Sequence, residues 1–564
     1  MAVEKSDGTR TRGHWKNKRE FLLACTGYAV GLGNIWRFPY LCFKSGGGAF
    51  LIPYLTMLIV CGIPLLYLEM AVGQLTGFGP IHAIGMLCPM MKGVGIATVV
   101  ISFILCTYYN VIISWALYYL FNTFQSPLPW YSCESSWSSD NCRHYINVSL
   151  NSTTDISATQ DFFDRKVLSK TTGIRSAGKV VYVTATFPYL ILFVLLGTSF
   201  TLPGASKGIY YFFKPEWQEL LNVKVWVNAA AQNFNSIGIG FGSMIAFASY
   251  NRKDNNLLRD TLVISCINSL TSIIAGLVIF SAMGHMSYVL NRPVANVTTE
   301  GPELVFIVYP QLFANLPVPQ LWAFLFFLML VFLGIDSQFA MVEVAITSLA
   351  DSFKGKLLTK IFKRKELLSF TVCFIALLLG VPNLMQGGIY VFTLLDNYTA
   401  VVALMFLAFF EVVTICWIYG ARQLSNDVKR MTGSKPPKYM TICWLVISPI
   451  LIGTILIFSI VRYEPAHYGK YNYPVWADAV GWLIALCSMV CIPATAVYAL
   501  CFAKGSLVER LMKCIRPQLG KINVNCSDEE AISFDSETSE SGSSPPHYES
   551  VVELTQLKSG DPAS

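Results

Sequence analysis

Eleven stretches of this chain stay apolar for about 20 residues or more, and that recurrence constrains the fold more than any other feature. They fall at roughly 20–43, 49–72, 93–122, 180–202, 225–249, 261–284, 320–349, 367–387, 390–419, 440–461 and 475–503. About 20 apolar residues in a helix match the hydrocarbon thickness of a bilayer. Inside that layer every backbone amide and carbonyl must find a partner, so the runs must be helices. With 54% hydrophobic and 13% charged residues, the chain does not read as a soluble domain. The first run follows a polar, basic N-terminus without a small-residue cleavage site, so it reads as a true span rather than a removed signal. The expected organisation is a cytoplasmic N-terminus at 1–19, a transmembrane domain at 20–503 and a cytoplasmic tail at 504–564. From Ser527 the tail is acidic and serine-rich without apolar periodicity, the composition of a disordered segment.

Two loops carry extracellular marks. Cys133 and Cys142 lie in a polar stretch beside the sequons at Asn147 and Asn151, and a third sequon begins at Asn296. A disulfide between the two cysteines suits an oxidising compartment. The other cysteines sit mostly inside apolar runs and read as small buried hydrophobes. The net charge of +7 comes with basic loops, and no basic–aromatic surface motif points to nucleic acid. The lipid bilayer is the expected environment.

Positive residues belong in cytoplasmic loops. The N-terminus, the stretch holding Arg252, Lys253 and Arg259, the 354–365 loop and the 422–438 loop are all basic. Three crossings put the 123–179 loop outside, as its sequons require. The next two crossings then leave Arg252 and Lys253 outside and Asn296 inside, and the later loops are inverted too. One more crossing between about 150 and 180 repairs every violation. Yet "VLSKTTGIRSAGKV" (167–180) is too polar to span. The sequence is short by one helix.

Two runs carry glycines at mid-membrane. "GYAVGLGNIWRFPY" (27–40) and "FNSIGIGFGS" (234–243) both place three or more glycines where a helix would be continuous. Such interruptions free carbonyls for a cation and leave half-helix termini for an anion, and two of them in separate halves mark an inverted-repeat transporter. No nucleophile–base constellation is evident, so no enzyme activity is expected.

These segments, with "SGGGAFLIPY", "GKVVYVTATFPY", "IAFASYNRKDNN", "GIDSQF", "GGIYVFTLLDNY" and "GSLVERL", resemble the sodium- and chloride-dependent neurotransmitter symporter family from about Arg12 to Leu511. The resemblance implies an all-α polytopic membrane protein with the inverted-repeat 5+5 transporter fold. Helices 1 and 6 are discontinuous, and about 11 spans stand in place of 12. It implies one sodium site at Ala29, Asn34, Ser236 and Asn268, and another at Gly27, Val30, Leu333, Asp336 and Ser337. A chloride site would use Tyr54, Gln232, Ser236, Asn268 and Ser272. Oxygen donors suit a hard cation, and Asp336 would be costly in an apolar span unless paired or ion-bound. The neutral Ser272 leaves room for an anion, where chloride-independent relatives carry an acid.

By the same resemblance, Arg37 and Asp396 close the outer vestibule, and Arg12, Trp15 and Asp351 the inner one. Tyr109 holds the substrate carboxylate, facing the amides of Leu32 and Gly33, with Gly31, Asn235 and Gly238 completing the pocket. Amine-transporting relatives carry an aspartate where this chain has Gly31, so a small amino acid or a GABA-, taurine- or betaine-like zwitterion is expected. Two departures stand out. Asn235 replaces an aromatic lid, and the fourth span, which should precede "GKVVY", is missing. The expected function is sodium- and chloride-coupled import by alternating access at the plasma membrane, as a monomer or homo-oligomer. The alternative is a transport-inactive variant that is retained in the endoplasmic reticulum or binds full-length transporter.

Overall fold

The computed structural model describes residues 14–15, 17–134, 137–143, 156–168, 181–294, 304–314, 316–352, 365–461, 465–468 and 471–518. Arg12, the sequon asparagines Asn147, Asn151 and Asn296, and the tail beyond 518 lie outside the described residues.

Among the described residues the fold is a helical bundle with only two-stranded scraps of sheet. Seven helices are long and apolar enough to cross a membrane, or nine if two bent pairs each count as one. The two glycine-interrupted segments are not among them; added to the nine they make eleven, the number of apolar runs in the sequence. The first is α1 (Lys18–Ala29), followed after a break by a π turn at Gly33–Arg37 and α2 (Phe38–Lys44). Helix α3 (Lys92–Asn122) and α4 (Val181–Phe200) follow. The second interrupted span is α5 (Val223–Ile237) and α6 (Ser243–Ala248). Long helices α7 (Leu257–Leu290) and α8 (Pro319–Ser352) pack around both breaks. Helix α9 (Gly388–Asn397) continues into a π stretch at Tyr398–Ala403, and α10 (Val475–Met489) lies against it.

The breaks have local causes. Gly238, Gly240 and Gly242 all adopt positive φ, between 70° and 83°, a region that L side chains disfavour. A Cβ at Gly238 would also lie 2.1 Å from the Tyr28 ring. The freed backbone of this break is satisfied by side chains from other helices. Glu69 Oε1 accepts the Gly240 N–H at 2.7 Å, and Ser102 donates to the Phe241 carbonyl at 2.7 Å. In the first break the Asn34 side chain accepts the Gly31 N–H at 3.1 Å, and the Tyr109 hydroxyl accepts the Leu32 N–H at 3.3 Å. Buried backbone without such partners would be costly in lipid.

The Cys133–Cys142 disulfide is present, in the loop that leaves the C-terminal end of α3. That end, taken here as the outer one, gathers several segments. Thr159 donates to Gln311 at 2.9 Å, and Phe163 stacks on Phe306, 5.7 Å between ring centroids. The far end of α4 lies there too: the Pro203 carbonyl meets His285 near the C-terminus of α7 at 2.9 Å, and Gly204 abuts Tyr288. Leu168 and the C-terminal end of α4 therefore share one side of the bundle. Val181 begins a helix of 20 residues, which is about 30 Å long, so it starts toward the other side. The stretch 169–180, where the sequence reads as one span short, lies outside the described residues.

Candidate solute and ion site

The two helix breaks face one another across a cavity of about 60 Å³. By the volume one water needs, that holds on the order of five waters, or a solute of a few heavy atoms. Its walls include Gly31, Gly33, Asn34, Tyr109, Asn235 and Ser337. Of the expected pocket residues, Leu32 and Gly238 stand behind this surface: Leu32 offers its N–H to Tyr109, and Gly238 shapes the turn against Tyr28. A Cβ on Gly31 would lie 2.5 Å from Ser337 Oγ and 3.1 Å from the Tyr109 hydroxyl, whereas one on Gly33 would meet nothing within 4 Å. Gly31 is therefore a position with no room for an acidic side chain unless its neighbours move.

Around Asn34 the polar groups converge. Its amide nitrogen, as placed, donates to Ser236 Oγ (3.0 Å), Asn268 Oδ1 (2.7 Å), the Asn268 carbonyl (3.2 Å) and Ser272 Oγ (2.8 Å). Four oxygens from α5 and α7 thus surround one electropositive group. Which end of an amide carries the nitrogen is an assignment made from the hydrogen-bond network. Turned over, the Asn34 amide would present its oxygen to this set of hard donors suited to sodium, but would give up the Gly31 N–H bond that Oδ1 accepts. Ala29 also lines the cavity wall.

The second expected sodium set also comes together. A Cβ on Gly27 would lie 3.2 Å from Asp336 Oδ2, and Ser337 donates to the Tyr28 carbonyl at 3.5 Å and the Leu333 carbonyl at 3.3 Å. Val30 is buried at the C-terminal end of α1, where its N–H still reaches Thr26 O at 2.8 Å.

The expected chloride residues divide. Ser236, Asn268 and Ser272 are already knitted to Asn34. Gln232 turns its amide NH2 to the Gly33 carbonyl at 3.1 Å instead, bracing the first break. The Tyr54 hydroxyl lies beside the Ser269 and Ser272 hydroxyls, and Asn268 Nδ2 is buried without a hydrogen-bond acceptor. A buried donor without an acceptor is uncommon. These neutral donors are of the kind that would suit a small anion.

The described residues expected at the outer and inner closures are held by polar contacts. Outside, Arg37 Nη1 donates to Asp396 Oδ1 at 3.0 Å, with side chains 11% and 20% exposed. Inside, Trp15 Nε1 donates to the Phe247 carbonyl at 3.0 Å and its backbone N–H to the Tyr250 carbonyl at 3.2 Å. Lys18 and Asp260 pair beside it at 3.3 Å. Asp351 accepts the Gly79 N–H at 2.8 Å, a bond to the short helix Pro80–Leu87 that the sequence did not signal. Its expected partner Arg12 lies outside the described residues.

A profile of the sodium:neurotransmitter symporter family matches residues 12–175 and 168–503. The chain belongs to the sodium:neurotransmitter symporter family. The two matched stretches overlap at residues 168–175, in the region where the fourth span is expected. Curated relatives of this symporter family are similar over nearly the whole chain. A sodium- and chloride-dependent GABA transporter, ine, of Drosophila melanogaster is 45% identical over 90% of this chain and 57% of its own length. The chain thus spans little more than half of that relative. A sodium- and chloride-dependent glycine transporter 2 of Xenopus laevis is 39% identical over 91% of this chain and 72% of its own. A sodium-dependent serotonin transporter of Drosophila melanogaster is 42% identical over 90% and 86%. Those names cover three different solutes, so similarity alone does not fix the substrate class.

Several wall residues went unnoticed in the sequence. Tyr108, beside the expected Tyr109, hydrogen-bonds Thr399 at 3.0 Å and packs edge-on against Phe392. Trp36, Ile112 and Met341 also line the cavity. All are ordinary residues of apolar runs, and the doubled tyrosine was the one available signal. Glu69 was missed too, although a carboxylate in an apolar run is conspicuous.

Proposed function

We propose that this chain is a sodium- and chloride-coupled symporter for a small carboxylated zwitterion, working by alternating access at the plasma membrane. The observation that carries this reading is the crowded Gly31 position. An acid there would pair a substrate amine; glycine leaves that charge out and keeps Ser337 and Tyr109 in place. The solute must then bring its own carboxylate, toward the Tyr109 hydroxyl and the first sodium set. Asn235 on the opposite wall makes the pocket more polar than an aromatic would. The small cavity favours a solute of a few heavy atoms.

In this reading Asn34, Ser236 and Asn268 join the π turn after α1 to α5 and α7 around one ion, so ion binding completes the pocket before the solute seats. Sodium and chloride are cargo that charges and compensates the site. The chain's own part is to hold donors at fixed positions on rigid helices and let two closures alternate. Uptake of radiolabelled small amino acids and GABA-like zwitterions, with sodium or chloride replaced, tests it. Uptake indifferent to sodium overturns the mechanism.

One observation favours a second reading. The charges of the loops read as one crossing short in the sequence. A transport-inactive protein held in the endoplasmic reticulum follows if that crossing cannot be made. Surface biotinylation separates the two, because abundant surface protein excludes retention.

A further inference from the structure

We propose that the Tyr398–Asp478 hydrogen bond is a positioning element of the outer gate, through which α10 holds the gate carboxylate Asp396 toward Arg37. The inference rests on the outer-gate role of that ion pair in the proposed function and extends it to a helix outside the ten that build the two repeats.

The geometry runs through two adjacent residues. Asp396 sits near the end of α9, and the backbone changes to the wider π form at Tyr398. Tyr398 points to α10, where its hydroxyl donates to Asp478 Oδ1 at 2.9 Å. Thr399 points the other way, and its hydroxyl meets Tyr108 at the cavity wall. One residue step therefore links α10 to the solute pocket. Phe392, one turn before Asp396, packs against both Tyr108 and Trp115, with 5.6 Å between ring centroids in each case.

The seat for Tyr398 is built into α10. A Cβ on Gly481 would lie 2.3 Å from the Tyr398 ring, so only glycine lets the ring reach that depth. Trp482 meets the same ring edge-on at 5.7 Å. Tyr398 is 2% exposed, so its hydroxyl needs an acceptor, and Asp478 in the first turn of α10 supplies a charged one. Such a bond is stronger than a neutral one. The start of α9 is held from the same side: the Tyr473 hydroxyl donates to the Tyr390 carbonyl at 2.7 Å. Both ends of the gate helix are thereby fixed to the segment that runs from residue 471 into α10, and its carboxylate is carried between the two anchors.

Hydrogen–deuterium exchange on the purified full chain in lipid nanodiscs tests this without requiring transport. Tyr398→Phe removes one oxygen and keeps the ring on Gly481 and Trp482. Asp478→Ala removes the acceptor, and Asp478→Asn retains an oxygen that can accept. Tyr398→Phe and Asp478→Ala should each raise exchange over 388–403 and 33–44 about tenfold, the ratio a hydrogen bond to a charged acceptor supports. The double variant should exceed neither, and Asp478→Asn should stay near the parent. Parent-like exchange in Tyr398→Phe overturns the proposal. So do additive effects, or an increase spread equally over α3 and α7, which is general loosening. In the parent, the effect of sodium on exchange over 27–34 reports on the symport reading separately. Its absence with the pair effect intact sinks only that reading; its presence with Tyr398→Phe unaffected sinks only the gate proposal.

Discussion

Gly31 shows how much one missing methyl decides. In Gly31→Ala the new Cβ meets Ser337 Oγ at 2.5 Å, so the hydroxyl must rotate away from the Tyr28 and Leu333 carbonyls. Sodium-dependent uptake should fall at least tenfold, with the half-saturating sodium concentration raised. Flux measured across a sodium series checks this, and an unchanged sodium curve counts against the site. Glu69 gives a second residue-scale prediction. Glu69→Ala leaves the Gly240 N–H buried without an acceptor, a loss of about 1–3 kcal/mol, whereas Glu69→Gln keeps an oxygen in place. Thermal unfolding in detergent should rank the parent and Gln above Ala. At this scale the sequence revealed residues whose chemistry is out of place in a membrane. Asn34, Asp336 and the clustered glycines declare themselves there. Tyr108 does not, because a tyrosine in an apolar run carries no local sign of what it touches; Gln232 is named only through the family resemblance. The outward turn of Gln232 to Gly33 depends on tertiary packing that no spacing encodes.

The elements were legible where apolar length alone decides, and less so where the helix departs from α geometry. All eleven runs are helical, and both breaks fall at the glycines. The π turns at Gly33–Arg37 and Tyr398–Ala403 were invisible, since one extra residue per turn changes no periodic signal over so short a stretch. They matter because each sits beside a gate side chain. Gly238→Ala should cost roughly 1–3 kcal/mol for the strained φ alone, with the Tyr28 contact added. Its unfolding temperature should drop further than that of Gly33→Ala, whose Cβ meets open space. Asp396→Asn keeps a hydrogen-bond acceptor but removes the charge that Arg37 meets. The outer closure should open more often, so that a thiol introduced at Phe392 reacts faster with a membrane-impermeant reagent. A rate equal to that of the same thiol in the Asp396 parent would remove the ion pair from the gate.

For the whole molecule, the placement of charge in the loops reads as one passage across the membrane fewer than the topology needs. Inserting about 20 apolar, helix-forming residues near Thr172 should raise the surface-labelled fraction severalfold and bring Asn296 into reach of glycosylation. If labelling and glycosylation stay the same, the chain manages its crossing without the addition.

If the contacts at Arg37–Asp396 and at Trp15 shut the cavity at both ends, they have a kinetic meaning. A solute enclosed between two shut doors could not be displaced by its competitors. Its departure waits on the spontaneous opening of either closure, so its residence time should not shorten as unlabelled solute outside is increased. Dilution and chase would then give the same release rate, and that rate would be the gate's own.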